Sequence, residues 1–550
     1  MAVTLTINGR STEAKSDFSL FDQAEAMGID VPTSCRKQGK CKECMVEVVE
    51  GMDVLSPLTE PEQHLKGNFR LSCQTYVTGR SGHVRCHTMR RGTMRIEGQA
   101  LGLPVSQAEF KLDPAVTRDG DRILIDGAEV ERSTGPIHGV AMDLGTTTVV
   151  LRLIDLESGE LIADTSFENP QRFGGSEVMS RIAYDSDYPG RLLMRTLAGY
   201  TSHAIEKFPV DPKTIYEMVV VGNSTMRDLF FRQNVHSIGQ SPYRSITEIE
   251  MGEGKRGTTS LVESGLRSLL PIHPRARVYG APIISGHVGA DAAAAMLAVD
   301  MAHEDRLVAV MDIGTNTELI VGNRHKILAA SCPAGPAFEG GAIACGMPAL
   351  EGAIEEVRIE DDGSLRLRVI GDGKPEGICG SGLVDVLSEL LRTGRMNTMG
   401  RFNDDVKRIT LYHGKEADED VYLLESDVNE LAQAKGANVA GLQVVFSSYG
   451  IDFHDVDVFY LAGGFGRHLN VEASKRIGLV PNLDTQKIVQ AGNTAIEGAT
   501  IALLSKQKRQ ELEELVKKVQ HCRLETHASF FDFFVDGCQF KPVEMIPCAK

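Results

Sequence analysis

The sequence predicts a multi-domain α/β protein: a small β-rich N-terminal domain that carries cysteines, followed by a duplicated α/β fold. Three observations predict it. The chain has 550 residues, too many for one hydrophobic core. Four of its eleven cysteines are spaced Cys35-x5-Cys41-x2-Cys44, with Cys73 further on. Two segments 169 residues apart each run an apolar strand into Asp-x-Gly-Thr.

The N-terminal domain is expected over residues 1–95. Val3, Leu5 and Ile7 alternate and end in Asn8-Gly9, the dipeptide that suits a two-residue hairpin turn. A second strand follows, then a short helix near Ser19 to Met27 with Leu20, Ala24 and Met27 on one face. Three thiols on one tight loop and a distant fourth are how a 2Fe–2S cluster is wrapped in plant-type ferredoxins. Cys35, Cys41, Cys44 and Cys73 are therefore the expected metal ligands, and the domain is expected to be a ferredoxin-like β-grasp. Gly39 and Lys40 leave room for backbone amides to point at the sulfurs, and Met45–Val49 reads as the strand leaving the loop. Zinc or a loop of free thiols is the competing reading, but zinc more often pairs two Cys-x2-Cys knuckles, and only one half here has that form. The first gap is one residue longer than the plant-type four. Cys86 is expected to be a buried strand thiol. Residues 96–135, Gly- and Pro-containing after a basic start (Arg90, Arg91, Arg95), read as a linker region.

The repeat follows. Its first copy is Ala141-Met-Asp143-Leu-Gly145-Thr146-Thr147-Thr148, and its second is Val310-Met-Asp312-Ile-Gly314-Thr315-Asn316-Thr317. Each reads as a hairpin with a tight tip. Glycine lets backbone approach a phosphate, threonine offers hydroxyl and N–H donors, and aspartate holds Mg2+ or positions a nucleophile. A third element, Val458-Phe-Tyr-Leu-Ala-Gly463-Gly464-Phe-Gly466, is a buried strand entering a Gly-rich turn suited to close approach of a purine or ribose. Tight turns within a packed α/β core are the competing reading. The two lobes are expected over 136–300 and 301–550.

These three elements in this order resemble the acetate kinase, sugar kinase, hsc70 and actin superfamily, the ASKHA fold. With the cysteine domain in front, the whole chain resembles the reductive activators of corrinoid-dependent enzymes. Further matching segments are Val221-Gly-Asn223-Ser224-Thr-Met226, Gly286-His-Val-Gly289-Ala-Asp291, Ile378-Cys-Gly380-Ser381-Gly382-Leu-Val-Asp385 and Ala434-Lys435-Gly436-Ala437. The resemblance implies ATP, Mg2+ and a single 2Fe–2S cluster as cofactors. It implies Asp143 and Asp312 as catalytic, Mg2+-partnering carboxylates. Gly145, Thr146 and Thr147 would face one set of phosphates and Gly314, Thr315 and Asn316 the other, with Gly463 and Gly464 near the base. Ser381 is a nucleotide or partner contact, with a plain helix N-cap as the alternative. Asn223 and Ser224 are better read as turn residues, Lys435 as an exposed helix lysine, and Cys332, Cys345 and Cys379 as packing groups. Some relatives carry a C-terminal cysteine-rich domain, but Cys522, Cys538 and Cys548 are too widely spaced for one.

The implied activity is ATP-dependent transfer of one electron from the cluster to a Co(II) corrinoid protein of a methyltransferase or demethylase system. The implied partners are that protein and a low-potential donor, and a flat second-lobe surface could support a homodimer. The rival is a nucleotide-binding redox sensor without corrinoid reduction. A net charge of −17 argues against nucleic acid or an anionic membrane as partner. The longest apolar run, Ala290 to Met301, is broken by Asp291 and Asp300 and is too short to span a bilayer. No basic segment followed by an apolar one opens the chain, so a cytoplasmic protein with reduced thiols is expected.

Overall fold

The computed structural model describes residues 3–89, 111–188, 190–403, 406–415, 420–464 and 466–546. They form two compact units. The first is Met1–Thr93, Pro114–Val220 and Thr225–Gly280, and the second is mainly Ala281–Lys550 with Val221–Ser224.

The first unit opens with a five-stranded sheet ordered β2-β1-β5-β3-β4, from β1 (Val3–Ile7), β2 (Arg10–Glu13), β3 (Met45–Glu50), β4 (Phe69–Leu71) and β5 (Gly82–Thr88). Asn8 and Gly9 both take positive φ, 48° and 78°, as the β1–β2 turn requires. Helix Leu20–Ala26 starts at Ser19, whose side chain accepts from the Asp22 N–H while Asp22 bonds back, a reciprocal cap. β1 and β5 run parallel, and Leu5, Ile7, Val84 and Cys86 are buried in one core with Leu20, Phe21 and Ala24. The stretch expected as a linker includes a three-stranded antiparallel meander, β6 (Val116–Asp119), β7 (Arg122–Ile125) and β8 (Ala128–Arg132). Residues 90–110, with the basic segment, lie outside the described residues.

The remainder of this unit is a sheet ordered β11-β10-β9-β12-β14-β13. Its strands are β9 (His138–Leu144), β10 (Thr148–Asp155), β11 (Leu161–Glu168), β12 (Ile215–Gly222), β13 (Leu261–Ser264) and β14 (Arg277–Gly280). The second unit repeats the pattern as β24-β23-β15-β16-β17-β25. Here β15 (Val308–Asp312), β16 (Thr317–Asn323) and β17 (Lys326–Cys332) form the antiparallel meander, while β23 (Val458–Ala462) and β24 (Ile488–Gly492) add in parallel, with β25 (Val519–His521) at the far edge. In both sheets the first meander strand lies beside a later strand, so each carries its Asp-x-Gly-Thr tip between the same neighbours. Two smaller sheets, β18 (Ala353–Ile359), β19 (Leu365–Val369) and β20 (Gly377–Ile378), then β21 (Arg408–Tyr412) and β22 (Val421–Leu424), are inserted after β17. Helices Gly380–Arg392 and Glu425–Tyr449 pack against them, the first with a row of fully buried Leu383, Val384, Leu387 and Leu390. Among the described residues no helix is long and apolar enough to cross a membrane.

Candidate functional site

The cysteine loop is shaped by its backbone before its sulfurs. Arg36, Lys37 and Lys42 all hold left-handed φ (51°, 65° and 66°), and Gly39 does so at 68°. Such residues, costly for side-chain-bearing positions, turn consecutive amides inward and make a concave anion site. At Gly39 a Cβ would lie 3.0 Å from the Gln74 side chain and 3.1 Å from Pro61, so the longer first gap is taken up where only glycine packs. All four thiols come to this loop. Cys44 and Cys73 are buried with their sulfurs 3.3 Å apart, and Cys35 and Cys41 are half-buried. Burial opposes ionisation of Cys35, but the Cys41, Lys40 and Gln38 amides donate to it and hold it below the usual thiol value. The Cys44 thiol beside Cys73, helped by Gln74 and the Gly39 amide, brings Cys73 down to about 6, while Cys44 itself is pushed up by that bond and by burial. Four convergent sulfurs with inward amides are a donor set that fits an iron–sulfur cluster. Cys86 sits apart in β5, fully buried, its thiol pushed up to about 12 by burial.

Two contacts that sequence reading missed hold this loop. Glu62, buried, accepts from Arg70 at 2.9 Å and from the Leu71 amide at 3.0 Å, steadying the short strand that delivers Cys73. Glu43, between Cys41 and Cys44, is also buried: it accepts from Ser34 at 2.6 Å and lies 3.1 Å from His203, while the Tyr200 hydroxyl donates to its carbonyl at 2.7 Å. Burial alone would raise the Glu43 acid, but His203 and Ser34 keep it low. His203, Tyr200 and Gly199 lie on helix Leu192–Glu206, where Gly199 leaves room for the Glu43 carboxylate. Nothing in the local sequence pairs residues so far apart.

The first hairpin tip, between β9 and β10, is built as expected from Gly145. A Cβ there would meet the Thr148 carbonyl at 2.5 Å. Its carbonyls are held from below: Asn169 donates to Gly145 at 2.8 Å, and fully buried Arg181 donates to Thr146 at 2.7 Å. Asp143 is half-buried at the end of β9, and Thr147 accepts from the Asn169 amide through its carbonyl at 2.7 Å.

The second tip, between β15 and β16, has a different electrostatic setting. Asp312 closes β15 opposite Glu318, and Thr494 donates to it at 3.2 Å. Glu318 is buried. Its acid is raised well above the ordinary value, first by burial and then by the charges of Asp291 and Asp312. A buried carboxyl raised by the charges of two others makes this end of β15 strongly electronegative, a setting that attracts a cation. Asp291 lies in a segment the sequence singled out and Glu318 directly follows the second repeat, yet only folding shows that their charges and that of Asp312 act on one another. Gly314 opens the tip, Thr315 pairs with Glu339, and half-buried Asn316 follows. Gly463, at φ 105°, lies against the Ile313 carbonyl, so a side chain there would collide with the second tip. Gly464 borders open space.

The other sequence candidates divide. Ser381 is buried 3.4 Å from the Cys379 sulfur, and the N-cap of its helix is Cys379, not Ser381. Ser224 donates to the Ser285 carbonyl at 2.7 Å, a turn role, and Gly289 packs against the Asn223 backbone. Lys435 is not an exposed lysine. It is fully buried, donates to the Gly537 carbonyl and, at 2.7 Å, to that of Gln539, and burial brings it down to about 7. Cys332 and Cys379 pack in the interior, and Cys345 is half-buried. Cys548 lies outside the described residues.

Comparison with known proteins places these features together. Residues 306–550 match the family described as the C-terminal domain of RACo, the ASKHA domain, residues 138–304 the RACo middle region, and residues 4–78 the 2Fe-2S iron-sulfur cluster binding domain. The corrinoid activation enzyme RamQ of Eubacterium limosum is 32% identical over 453 residues, covering 78% of this chain and 74% of that protein. A reductase of the Co(II) methylated amine-specific corrinoid protein, from Methanosarcina barkeri, is 26% identical over 437 residues, covering 72% and 76%. Among solved structures, a reductive activator for corrinoid, iron-sulfur protein superposes with a TM-score of 0.72 at 25% identity over 98% of each chain.

Proposed function

The chain belongs to the family of corrinoid reductive activators, and we propose that it restores Co(I) in a corrinoid protein by an ATP-dependent, one-electron reduction of Co(II). The observation that carries this reading is the union, in one chain, of a four-thiol cradle with a doubled phosphate-type hairpin. A thiol cradle alone describes an electron carrier, and a doubled hairpin alone describes a nucleotide switch. The relatives' names point the same way: one acts in corrinoid activation and another reduces a Co(II) corrinoid protein.

In this reading Cys35, Cys41, Cys44 and Cys73 hold the cluster, which supplies one-electron transfer when bound. The loop amides favour sulfur carrying negative charge, and Glu43 with His203 keeps the loop from relaxing. Gly145, Thr146 and Thr147 receive one set of phosphates, and Gly314, Thr315 and Asn316 the other. Asp312 and Asp143 partner Mg2+, with buried Glu318 adding negative potential beside Asp312. Gly463 and Gly464 approach the nucleoside. ATP is required because a plant-type cluster sits near about −400 mV, and Co(II)/Co(I) lies lower. Each 100 mV uphill costs roughly 2.3 kcal/mol per electron, so nucleotide binding and hydrolysis must draw the electron across. The corrinoid partner belongs to a methyltransferase or demethylase system, and an external low-potential donor reloads the cluster.

The test mixes the reduced, cluster-loaded protein with a panel of Co(II) corrinoid proteins. The Co(I) absorbance band is expected only when reductant and ATP are both present, together with a rise in ATP hydrolysis on adding the accepted corrinoid protein. No Co(I) with any panel member, beside tight nucleotide binding without turnover, would leave a redox-sensing protein instead.

A further inference from the structure

The thiol loop is cationic on an acidic chain. The net charge is −17, yet Arg36, Lys37, Lys40 and Lys42 fall within one short stretch, 36–42, that contains no acid. Two of the four are occupied. Lys37 pairs with Asp22 at 2.7 Å and with Glu25 at 2.8 Å, and Lys42 donates to the Pro61 carbonyl. The other two, Arg36 and Lys40, are exposed, and among the described residues neither side chain has a partner. Glu60, beside the Pro61 that packs on Gly39, is one exposed acid against these two exposed cations.

The position of these charges says what they meet. Cys44 and Cys73 are buried, and helix Leu192–Glu206 closes over Glu43, so Cys35 and Cys41 are the more exposed pair of sulfurs. Arg36 directly follows the one, and Lys40 directly precedes the other. On the Cys73 side, Gln74 donates to the Lys37 carbonyl at 3.2 Å and to the Cys73 sulfur at 3.4 Å. Two residues on, Tyr76 pairs with Ser19 across a bridge, and Tyr76 and Phe18 are left 40% and 48% exposed. Arginine and exposed aromatic rings together are the composition of a protein contact. A cationic rim on an acidic chain complements a partner of the opposite sign. The patch is small, as in brief redox encounters, and fixed surface charge steers a partner without help from a nucleotide. It therefore suits the ungated step, the loading of the electron.

We propose that Arg36 and Lys40 form the docking rim for the electron donor, and that this donor is a small carrier protein with an acidic face around its own redox centre. One electron leaves the carrier, which is oxidised, and enters the cluster at the Cys35–Cys41 edge; no bond forms and no proton moves. The inference rests on the reading of the four thiols as cluster ligands and adds to it the class of the reductant and the place where it docks.

Calorimetric titration of the cluster-loaded full chain with an acidic carrier of the bacterial ferredoxin type tests it. Binding is expected to weaken about tenfold as salt rises from about 0.05 to about 0.5 M, since exposed charges are screened. Arg36→Glu with Lys40→Glu is expected to weaken it at least about tenfold at low salt. Reduction of the cluster by the carrier, followed as bleaching of its visible band, is expected to slow in step. Reduced methyl viologen, a small cation, is expected to reduce the double variant at least as fast as the unaltered protein, which separates lost docking from a damaged cluster. If the double variant does not keep its cluster, Arg36→Gln and Lys40→Gln made singly carry the test, each with an expected loss of about threefold. Salt-independent binding would overturn the proposal, as would unchanged affinity in variants that keep the cluster band. A loss confined to binding of the corrinoid protein would also overturn it, by assigning the rim to the acceptor. If the unaltered protein holds no cluster, the thiol reading falls along with this one. If methyl viologen reduces it but the carrier does not bind, only the docking assignment falls.

Discussion

The two Asp-x-Gly-Thr hairpins share a backbone and differ in what surrounds it. At the place where β10 of the first carries Val149, fully buried and apolar, β16 of the second carries Glu318, equally interior but acidic. The first tip is tied down by a buried guanidinium, Arg181, through the Thr146 carbonyl, whereas the matching Thr315 pairs with a carboxylate, Glu339. Duplication preserved the turn geometry and divided the chemistry. The first tip has a buried guanidinium beside it, a setting that favours an anion. At the second tip Asp312 lies opposite buried Glu318, which also feels the charge of Asp291, so this tip disfavours a bare anion, and under the proposed function it is the one expected to depend on Mg2+.

The sharpest way to break this comparison is to neutralise each aspartate in turn. Asp312→Asn is expected to weaken the apparent Mg2+ affinity of ATP hydrolysis by about 100-fold, and Asp143→Asn by about tenfold or less. Mg2+ titrations of the hydrolysis rate decide it, and equal losses would show that the two tips share the metal evenly. A smaller effect is expected in stability. Arg181→Met removes the donor to the Thr146 carbonyl and another, at 3.0 Å, to that of Gly175. Leaving these carbonyls buried and unpaired is expected to lower the stability of the first unit by roughly 2–4 kcal/mol. Urea unfolding followed by circular dichroism measures this, and a loss below about 0.5 kcal/mol would mean that the cation does not hold the tip.

The smallest effect contrasts the buried cations of the two units. Arg181 cannot lose its proton. Lys435 can, because its folded value of about 7 lies below the ordinary 10.5. An amine depressed in the folded state holds its proton more weakly there than in the unfolded chain. Stability therefore rises as pH climbs from about 7 towards 10.5, and this gain is lost as pH falls back to 7. A neutral amine still has two N–H donors for the Gly537 and Gln539 carbonyls. The expected outcome is a urea midpoint that rises more between pH 7.5 and 9.5 in the unaltered protein than in Lys435→Met. Equal slopes would mean that Lys435 stays charged at its buried position.

Much of this architecture is legible in one dimension because its causes are local. Asn8-Gly9 turns a hairpin since those residues tolerate left-handed φ, and Ser19 starts a helix since Asp22 is three residues on. Cys35, Cys41 and Cys44 converge because short spacing leaves them little choice. Gly145 marks a tip because the Thr148 carbonyl approaches it within one turn. The misreadings have the opposite cause. Lys435 looks exposed in a helix until the segment around Gly537, about a hundred residues later, closes over it. Ser381 reads in the sequence as a ligand or partner contact with a plain cap as the alternative, and the cap alternative fails because the N-cap of helix Gly380–Arg392 is Cys379. The stretch 96–135, read as a tether or small linking unit, has short polar strands whose pairing over residues 116–132 no local pattern announces.

What the sequence determined by itself is therefore the list of parts: a thiol loop, a repeated phosphate-type tip, a Gly-rich strand end and their order along the chain. Each depends on residue type and spacing, which the chain carries without folding. What only the tertiary structure decided is their electrostatics. Glu43 meets His203, and buried Glu318 feels the charges of Asp291 and Asp312. Burial and long-range partners set the proton affinity and the ligand preference of a carboxyl group, and neither is written at the position of the carboxyl itself.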